Sequence, residues 1–169
     1  ALTILLSSFL CMNSAFAHSA KAKRGMVVSV SPSASKVGLS ILKKGGNAID
    51  AAVATGFALA VTYPGAGNIG GGGFLVAHLI GNQSIGYDFR EKAPKKAKSD
   101  MFLDAKGNVM NDKIREGALA SGIPGSVAGL LDALRDHGTM SIKDILTPAI
   151  DLAENGFILD ASMIRQFDK

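Results

Sequence analysis

The stretch Asn68-Ile69-Gly70-Gly71-Gly72-Gly73-Phe74 constrains the fold more than any other part of this chain. Four consecutive glycines between apolar segments mark a place where the backbone passes close to another group, or adopts φ values that a Cβ atom disfavours. The run before them, about Ala48 to Val61, is apolar on nearly all sides, which predicts a buried helix. Phe74–Ile80 and Ser84–Phe89, joined by a short loop containing glycine, predict a β-hairpin.

The other segments carry simpler signals. Met26 to Val30 is a short β-branched run between glycine and proline, which predicts a strand. Capping residues and apolar spacing predict further helix boundaries: Ser33 or Ser35 as the first N-cap, Asn47 with Asp50 at the start of the buried helix, Ser126 to Asp136, and Ser141 with Asp144 opening a helix that ends at Asn155-Gly156.

Residues 1–17 have the pattern of a secretory signal peptide, with an apolar centre and the small-residue cleavage pattern Ala15-Phe16-Ala17. The expected mature start is His18, and the chain is expected to be exported, to the periplasm or the medium. There is neither an initiator Met nor a basic leader, so the sequence is expected to begin inside the signal. The apolar run is too short for a membrane span, and the single cysteine, Cys11, lies within it.

Length and charge limit the number of domains and the kind of partner that the chain is expected to have. The chain has 169 residues, which suits one domain, and a net charge of +4. Its basic clusters, Lys21-Lys23-Arg24 and Lys92-Lys95-Lys96-Lys98, are not interleaved with aromatic residues. They are interpreted as solvated faces, and no nucleic-acid partner is expected.

Two catalytic or cofactor patterns occur in the wrong context. Gly65 to Gly70 matches the dinucleotide fingerprint G-x-G-x-x-G, but that motif requires a strand before the glycines and a helix after them. The predicted order here is the reverse. Ser33 to Lys36 and Ser40 to Lys43 match S-x-x-K, but the companion motifs of serine acyl-enzymes are absent.

The histidines define no site of their own. His18, His78 and His137 lack metal-ligand spacing, and no Ser/His/Asp arrangement can be assembled from the sequence. The sequence therefore predicts neither a metal site nor a nucleophile in this chain.

Asp88-Phe89-Arg90-Glu91 has two interpretations. One is a surface ion-pair cluster, which typically contributes less than about 1 kcal/mol. The other is a guanidinium oriented by neighbouring acids to bind a substrate carboxylate with two hydrogen bonds. The residues alone do not decide between them.

Several stretches in order resemble the N-terminal part of the large subunit of the γ-glutamyltranspeptidase family. The likeness runs from about Met26 to Gly156, and the order and spacing of its motifs make it specific. It rests on Gly45–Ala54, Gly67–Phe74, Asp88–Glu91 with Ala93-Pro94, Asp100–Leu103 and Ala120–Gly129.

The resemblance implies an α+β fold, the four-layer αββα sandwich of N-terminal-nucleophile hydrolases, with only part of it present. Family members are precursors that cut themselves, and the new N-terminal Thr of the small subunit attacks γ-glutamyl amides such as glutathione. The glutamyl group then passes to water, an amino acid or a peptide. The resemblance implies no metal and no organic cofactor.

Only one substrate-binding position carries over from the family. Arg90 matches the arginine that binds the α-carboxylate of the γ-glutamyl group, and adjacency suggests Asp88 and Glu91 as its supports. Asn68, Gly70, Gly71, Gly72 and Gly73 match a family motif whose predicted role is structural, namely close packing of a buried helix against the sheet. No catalytic residue carries over.

The domain prediction is an incomplete signal peptide at 1–17 and a truncated portion of the large-subunit domain at 18–169. We expect the chain to be inactive alone and to require the remaining part of its precursor as partner. Two alternatives stay open at this point. One is a fragment of a related acylase that cleaves glutaryl-type amides; the other is a complete small exported binding protein without catalytic activity.

Overall fold

The structure is a computed structural model that describes residues 19–159 and 161–167. The predicted signal peptide and His18 lie outside these residues. The helices and strands are, in chain order, α1 (Pro32–Lys43), α2 (Ala48–Thr62), β1 (Phe74–Leu79), β2 (Gln83–Asp88), α3 (Asn111–Arg115), α4 (Ser126–His137), α5 (Ile142–Asn155) and α6 (Ala161–Phe167).

Helix α2 lies at the centre of the core, as its apolar sequence predicts. Its start is the predicted capping box: the Asn47 side chain accepts from the Ile49 and Asp50 amides, and the Asp50 carboxylate accepts from the Asn47 amide. Val53, Ala54 and Ala58 are fully buried. Because these side chains are short, neighbouring helices can approach α2 closely.

Three helices pack around α2 and complete the core. The contributing side chains are fully or almost fully buried: Ala34, Val37 and Ile41 from α1, Ala133 and Leu134 from α4, and Ile145 and Ala149 from α5. Burial of each larger aliphatic side chain, such as valine, leucine or isoleucine, stabilises the fold by roughly 1.5–3 kcal/mol. The core is therefore mainly helix on helix, with the hairpin packed at its side.

Strands β1 and β2 form the predicted antiparallel hairpin, in register from Phe74 opposite Asp88 to Leu79 opposite Gln83. Leu75, Ala77 and Tyr87 pack against the helical core. The opposite face of β1 is apolar yet solvent-exposed, since Phe74 is 65% and Val76 is 82% exposed. The chain thus combines helices with an antiparallel strand pair, and one face of that pair has no layer over it within the described residues.

The strand predicted at Met26–Val30 is wrong for this structure. The segment pairs with no strand among the described residues, and Val28 is 81% exposed. A strand needs a neighbour to satisfy its backbone groups, and the segment instead borders a groove of about 830 Å³ beside α2. The predicted cap of α1 is also wrong, because Ser31 accepts the capping hydrogen bond from Ala34 and Pro32 is the first helical residue.

Asp50 joins the start of α2 to the loop before α5. Its carboxylate is fully buried and accepts hydrogen bonds from the Thr139 amide (2.9 Å), the Thr139 hydroxyl (2.6 Å) and the Met140 amide (3.2 Å). Burial acts to raise the pKa of this carboxyl, but the hydrogen bonds from Thr139, Asn47 and Met140 outweigh it and lower the pKa. Asp50 is therefore an ionised anchor within an apolar core.

A long connection links β2 to α4. It holds the short helix α3, a turn in which Asp104 accepts from the Lys106 and Asn108 amides, and an antiparallel bridge between Lys92 and Ile123. The bridge returns the chain to the end of β2 before α4 begins. No helix within the described ranges is both long and apolar enough to cross a bilayer.

Candidate functional site

The glycine run is held against the start of α4. Asn68 Oδ1 accepts from the Gly71 amide (2.9 Å) and from the hydroxyl of buried Ser126 (2.5 Å). The Gly71 carbonyl in turn accepts from the Gly125 amide (2.8 Å) and the Ser126 amide (3.0 Å). These bonds satisfy the first amides of α4, which has no side-chain cap.

Close approach, and not unusual φ, explains the glycines that the fold requires here. None of Gly70 to Gly73 has a positive φ. A Cβ at Gly72 would lie 2.7 Å from the Phe89 oxygen, and one at Gly125 would lie only 2.0 Å from the same atom. Gly70, by contrast, has open space around it. The glycine run, at Gly72, and the start of α4, at Gly125, therefore both approach Phe89, the residue before Arg90.

Arg90 lies immediately beyond the hairpin. Backbone hydrogen bonds between Gly73 and Phe89 extend the β1–β2 ladder by one pair, and Arg90 then lines a cavity of about 240 Å³ between the end of β2 and the first turns of α4. The other lining residues include Asp88, Lys92, Gly125 and Asp132. The α4 residues among them place the cavity along the side of the first two turns of that helix.

The acids suggested as supports of Arg90 do not pair with its guanidinium. Asp88 accepts from the Arg90 backbone amide at 3.1 Å. Glu91 does not line the cavity; its carboxylate lies toward Gly72 instead. Within residues 19–159 and 161–167, the Arg90 side chain has neither an ion pair nor a hydrogen bond. The three residues are neighbours in sequence, but their side chains do not meet, and the Arg90 guanidinium is open to a ligand.

A polar cluster on α4 borders the cavity. Arg135 contacts Asp132 at 2.6 Å and Asp136 at 2.9 Å, and the Tyr87 hydroxyl donates to Asp136 at 2.9 Å. The hydrogen bond from Tyr87, followed by that from Arg135, lowers the pKa of Asp136. Asp132 thus pairs with Arg135, and within the described residues it forms no ion pair with Arg90.

The other motifs in the sequence form no binding site among the described residues. The element order around Gly65 to Gly70 is helix α2 before and strand β1 after, as predicted, so the dinucleotide motif lacks its context. His78 forms a cross-strand hydrogen bond with Ser84 at 3.0 Å. No group of three or more potential metal ligands occurs in the part of the chain that the structure describes.

Sequence reasoning missed two features of this site. The sequence pattern places Lys92 only in a solvated basic cluster, and the Asn68–Ser126 contact joins residues 58 positions apart. The alternation of Arg90 and Lys92 along an extended segment was an available signal for the first feature. No single-sequence signal indicates the second.

Comparison with known proteins defines the class. The family model described as Gamma-glutamyltranspeptidase matches residues 34–169. The crystal structure of Helicobacter pylori gamma-glutamyltranspeptidase superposes with a TM-score of 0.84 at 48% identity, covering 89% of this chain and 43% of that one. The chain belongs to the gamma-glutamyltranspeptidase family.

Two curated relatives indicate the range of the family. The glutathione hydrolase proenzyme of Escherichia coli (strain K12) is 51% identical over 146 residues, which is 86% of this chain and 25% of the relative. The acylase ACY 1 proenzyme of Pseudomonas sp. (strain V22) is 42% identical over 83% of this chain and 26% of the relative. The chain therefore spans about a quarter of the length of these relatives.

Proposed function

We propose that this chain is the N-terminal part of the large subunit of a γ-glutamyl transferase or hydrolase that acts on glutathione and related compounds. In this proposal Arg90 binds the α-carboxylate of the γ-glutamyl group. The reaction is transfer of that group, through an acyl-enzyme, to water, an amino acid or a peptide.

The observation that carries this proposal is that Arg90, whose guanidinium has no partner among the described residues, lines a cavity beside the start of α4. A planar guanidinium can donate two parallel hydrogen bonds to a carboxylate, which adds orientation as well as affinity. The backbone that presents it is fixed on two sides, by Gly73 across the hairpin and by Gly125 at the helix start. Such support favours a preorganised binding group over a loose surface residue.

The nucleophile belongs, in this proposal, to the portion of the proenzyme that this chain does not span. A Thr hydroxyl there attacks the γ-carbonyl carbon, the amide C–N bond breaks, and the amine leaves with a proton. Water or an amine then attacks the ester and releases glutamate or a new γ-glutamyl amide. The partner of this chain is thus the rest of its own precursor, and the chain alone is expected to show no turnover.

We also propose the αββα sandwich as the complete fold. The hairpin has helices on one face and exposed Phe74 and Val76 on the other, and the extended segment Met26–Val30 borders an apolar groove. A second sheet over the face of Phe74 and Val76, and a strand beside Met26–Val30, would remove both exposures. Hydrogen exchange in the full-length protein checks this: slow exchange of the Val27 to Val30 amides supports it, and rapid exchange contradicts it.

The signal peptide at 1–17, the large-subunit portion at 18–169 and export to the periplasm or medium remain part of the proposal. Support comes from the apolar segment followed by Ala15-Phe16-Ala17. N-terminal sequencing of the protein recovered from the periplasm or medium is expected to begin at His18. Recovery of an uncut chain from the cytosol would contradict the assignment.

A related acylase is the second candidate, and the 42% identity to an acylase proenzyme favours keeping it. Arg90 would serve either enzyme, because both substrates can carry a carboxylate at the end of the acyl group. Turnover of γ-glutamyl and glutaryl amides by the full-length protein distinguishes them. The third possibility, an exported binding protein without catalysis, predicts that the full-length protein turns over neither amide.

The test of the proposed site is kinetic. In the full-length protein, Arg90→Ala is expected to raise KM for γ-glutamyl donors by roughly 30- to 100-fold, since a charge-assisted hydrogen-bond pair is lost. Arg115→Ala, at an exposed position on α3, is the matched control and is expected to leave KM within about twofold. An unchanged KM in the Arg90 variant would mean that Arg90 belongs to a surface ion-pair cluster and does not bind the substrate.

A further inference from the structure

Two cations share the cavity between β2 and α4. Arg90 and Lys92 both line it, whereas Glu91, which lies between them in sequence, does not. This alternation is the one expected for extended backbone, in which every second side chain lies on the same face. The roots of the two side chains are then roughly 6–7 Å apart, so both can reach one small anion.

The backbone of Lys92 is fixed independently of its side chain. Its amide donates to the Ile123 carbonyl at 3.2 Å, and its carbonyl accepts from the Ile123 amide at 2.8 Å. This bridge holds Lys92 at the cavity wall while its ammonium group stays exposed. Lys95 and Lys96, in the same basic cluster, do not line the cavity.

Two acids, Asp88 and Asp132, also line the cavity, but neither forms an ion pair with Arg90 or Lys92 within the described residues. Asp132 contacts Arg135 at 2.6 Å, and Asp88 accepts from the Arg90 backbone amide. In the described part of the chain, neither the Lys92 nor the Arg90 side chain takes part in a hydrogen bond or an ion pair. Both cations therefore keep all their side-chain donors available for a small anion in the cavity.

We infer that Lys92 is a second carboxylate-binding residue and acts with Arg90 on the same α-carboxylate of the γ-glutamyl donor. The inference rests on the proposed function and deepens it by naming a residue that sets affinity for the anionic end of the donor. A volume of about 240 Å³ is below the usual range for a whole ligand, so the cavity suits one end of it. A single small carboxylate fits this space and bridges both cations.

The experiment compares Lys92→Met with Lys95→Met in the full-length protein, using a γ-glutamyl anilide as donor. Lys92→Met is expected to raise KM roughly fivefold with kcat unchanged, because one of two cation contacts to the carboxylate is lost. Lys92→Arg, which keeps the charge, is expected to restore KM to within about twofold. Lys95→Met is expected to leave KM unchanged, and Lys92→Gln serves as a second neutral variant.

A donor analogue that lacks the α-carboxylate, 4-aminobutyryl anilide, shows whether Lys92 contacts that carboxylate directly or affects donor binding only through its long-range charge. Its inhibition constant is expected to be the same in wild type and Lys92→Met. If Lys92→Met raised the KM of the anilide and the inhibition constant of the analogue by the same factor, the inference would be overturned. The same holds if Lys95→Met raised KM as much as Lys92→Met does. If Arg90→Ala raises KM but Lys92→Met does not, the Lys92 inference alone fails; if neither change affects KM, the proposed site fails as well.

Discussion

Replacing Asp50 with Asn tests how the core positions the elements around the site. In Asp50→Asn, the amide oxygen can still accept from the Thr139 and Met140 amides, which contact Oδ1. The amide nitrogen then replaces Oδ2, which accepts from the Asn47 amide and the Thr139 hydroxyl. The hydroxyl can rotate to accept from that nitrogen, whereas the Asn47 amide faces it donor to donor. One charge-assisted hydrogen bond is lost and a buried donor is left unsatisfied, so local stability is expected to fall by about 3 kcal/mol.

Hydrogen exchange measures this loss directly, because Thr139 and Met140 are themselves donors to Asp50. About 3 kcal/mol corresponds to a roughly hundredfold decrease in the protection of these amides in the full-length protein. Asp151→Asn, at an exposed position on α5, is the matched control and is expected to change nothing. Protection within about threefold of wild type in Asp50→Asn would refute the anchor role.

The same carboxylate gives a pH signature. The pKa of Asp50 is lowered in the folded protein, because its hydrogen bonds outweigh the effect of burial. Its contribution to stability is therefore present above the ordinary value of 3.8 and is lost as the pH falls through the lower, folded value. Wild-type protection at Thr139 is expected to decline in that acidic range, and Asp50→Asn should lack this part of the decline.

Two further substitutions test the junction between the glycine run and α4. Gly125→Ala places a Cβ 2.0 Å from the Phe89 carbonyl oxygen, so it is expected to displace Arg90 and raise KM for γ-glutamyl donors at least tenfold; an unaltered KM would argue against this close approach. Asn68→Ala removes the contact with the Ser126 hydroxyl and is expected to lower the free energy of unfolding by about 1–2 kcal/mol. In a double-mutant cycle with Ser126→Ala the effects should be less than additive, and full additivity would mean that the two side chains are not coupled.

Local signals in the sequence predicted the elements whose structure depends on local interactions. The capping box at Asn47 and Asp50 follows from residues three positions apart, and the hairpin follows from two short apolar runs and their loop. The prediction at Met26–Val30 failed because a strand also requires a partner, which the sequence pattern does not supply.

The site depended on contacts that span long distances in sequence. The residues around Arg90 left two interpretations open, and only the family resemblance singled it out. The cavity that it lines is completed by α4 and by the Lys92–Ile123 bridge. Asp50 shows the same limit: its capping role was predicted, whereas its bonds to the Thr139 loop, 89 residues away, were not. A single sequence carries no pairing information for such contacts.

The central claim, that Arg90 binds the α-carboxylate of a γ-glutamyl substrate, is tested most directly by a crystal structure of the full-length protein with bound glutamate. The account predicts two hydrogen bonds from the Arg90 guanidinium to the α-carboxylate, each within about 2.7–3.0 Å, inside the cavity between β2 and α4. Glutamate bound elsewhere, with the Arg90 side chain still open to solvent, would contradict it.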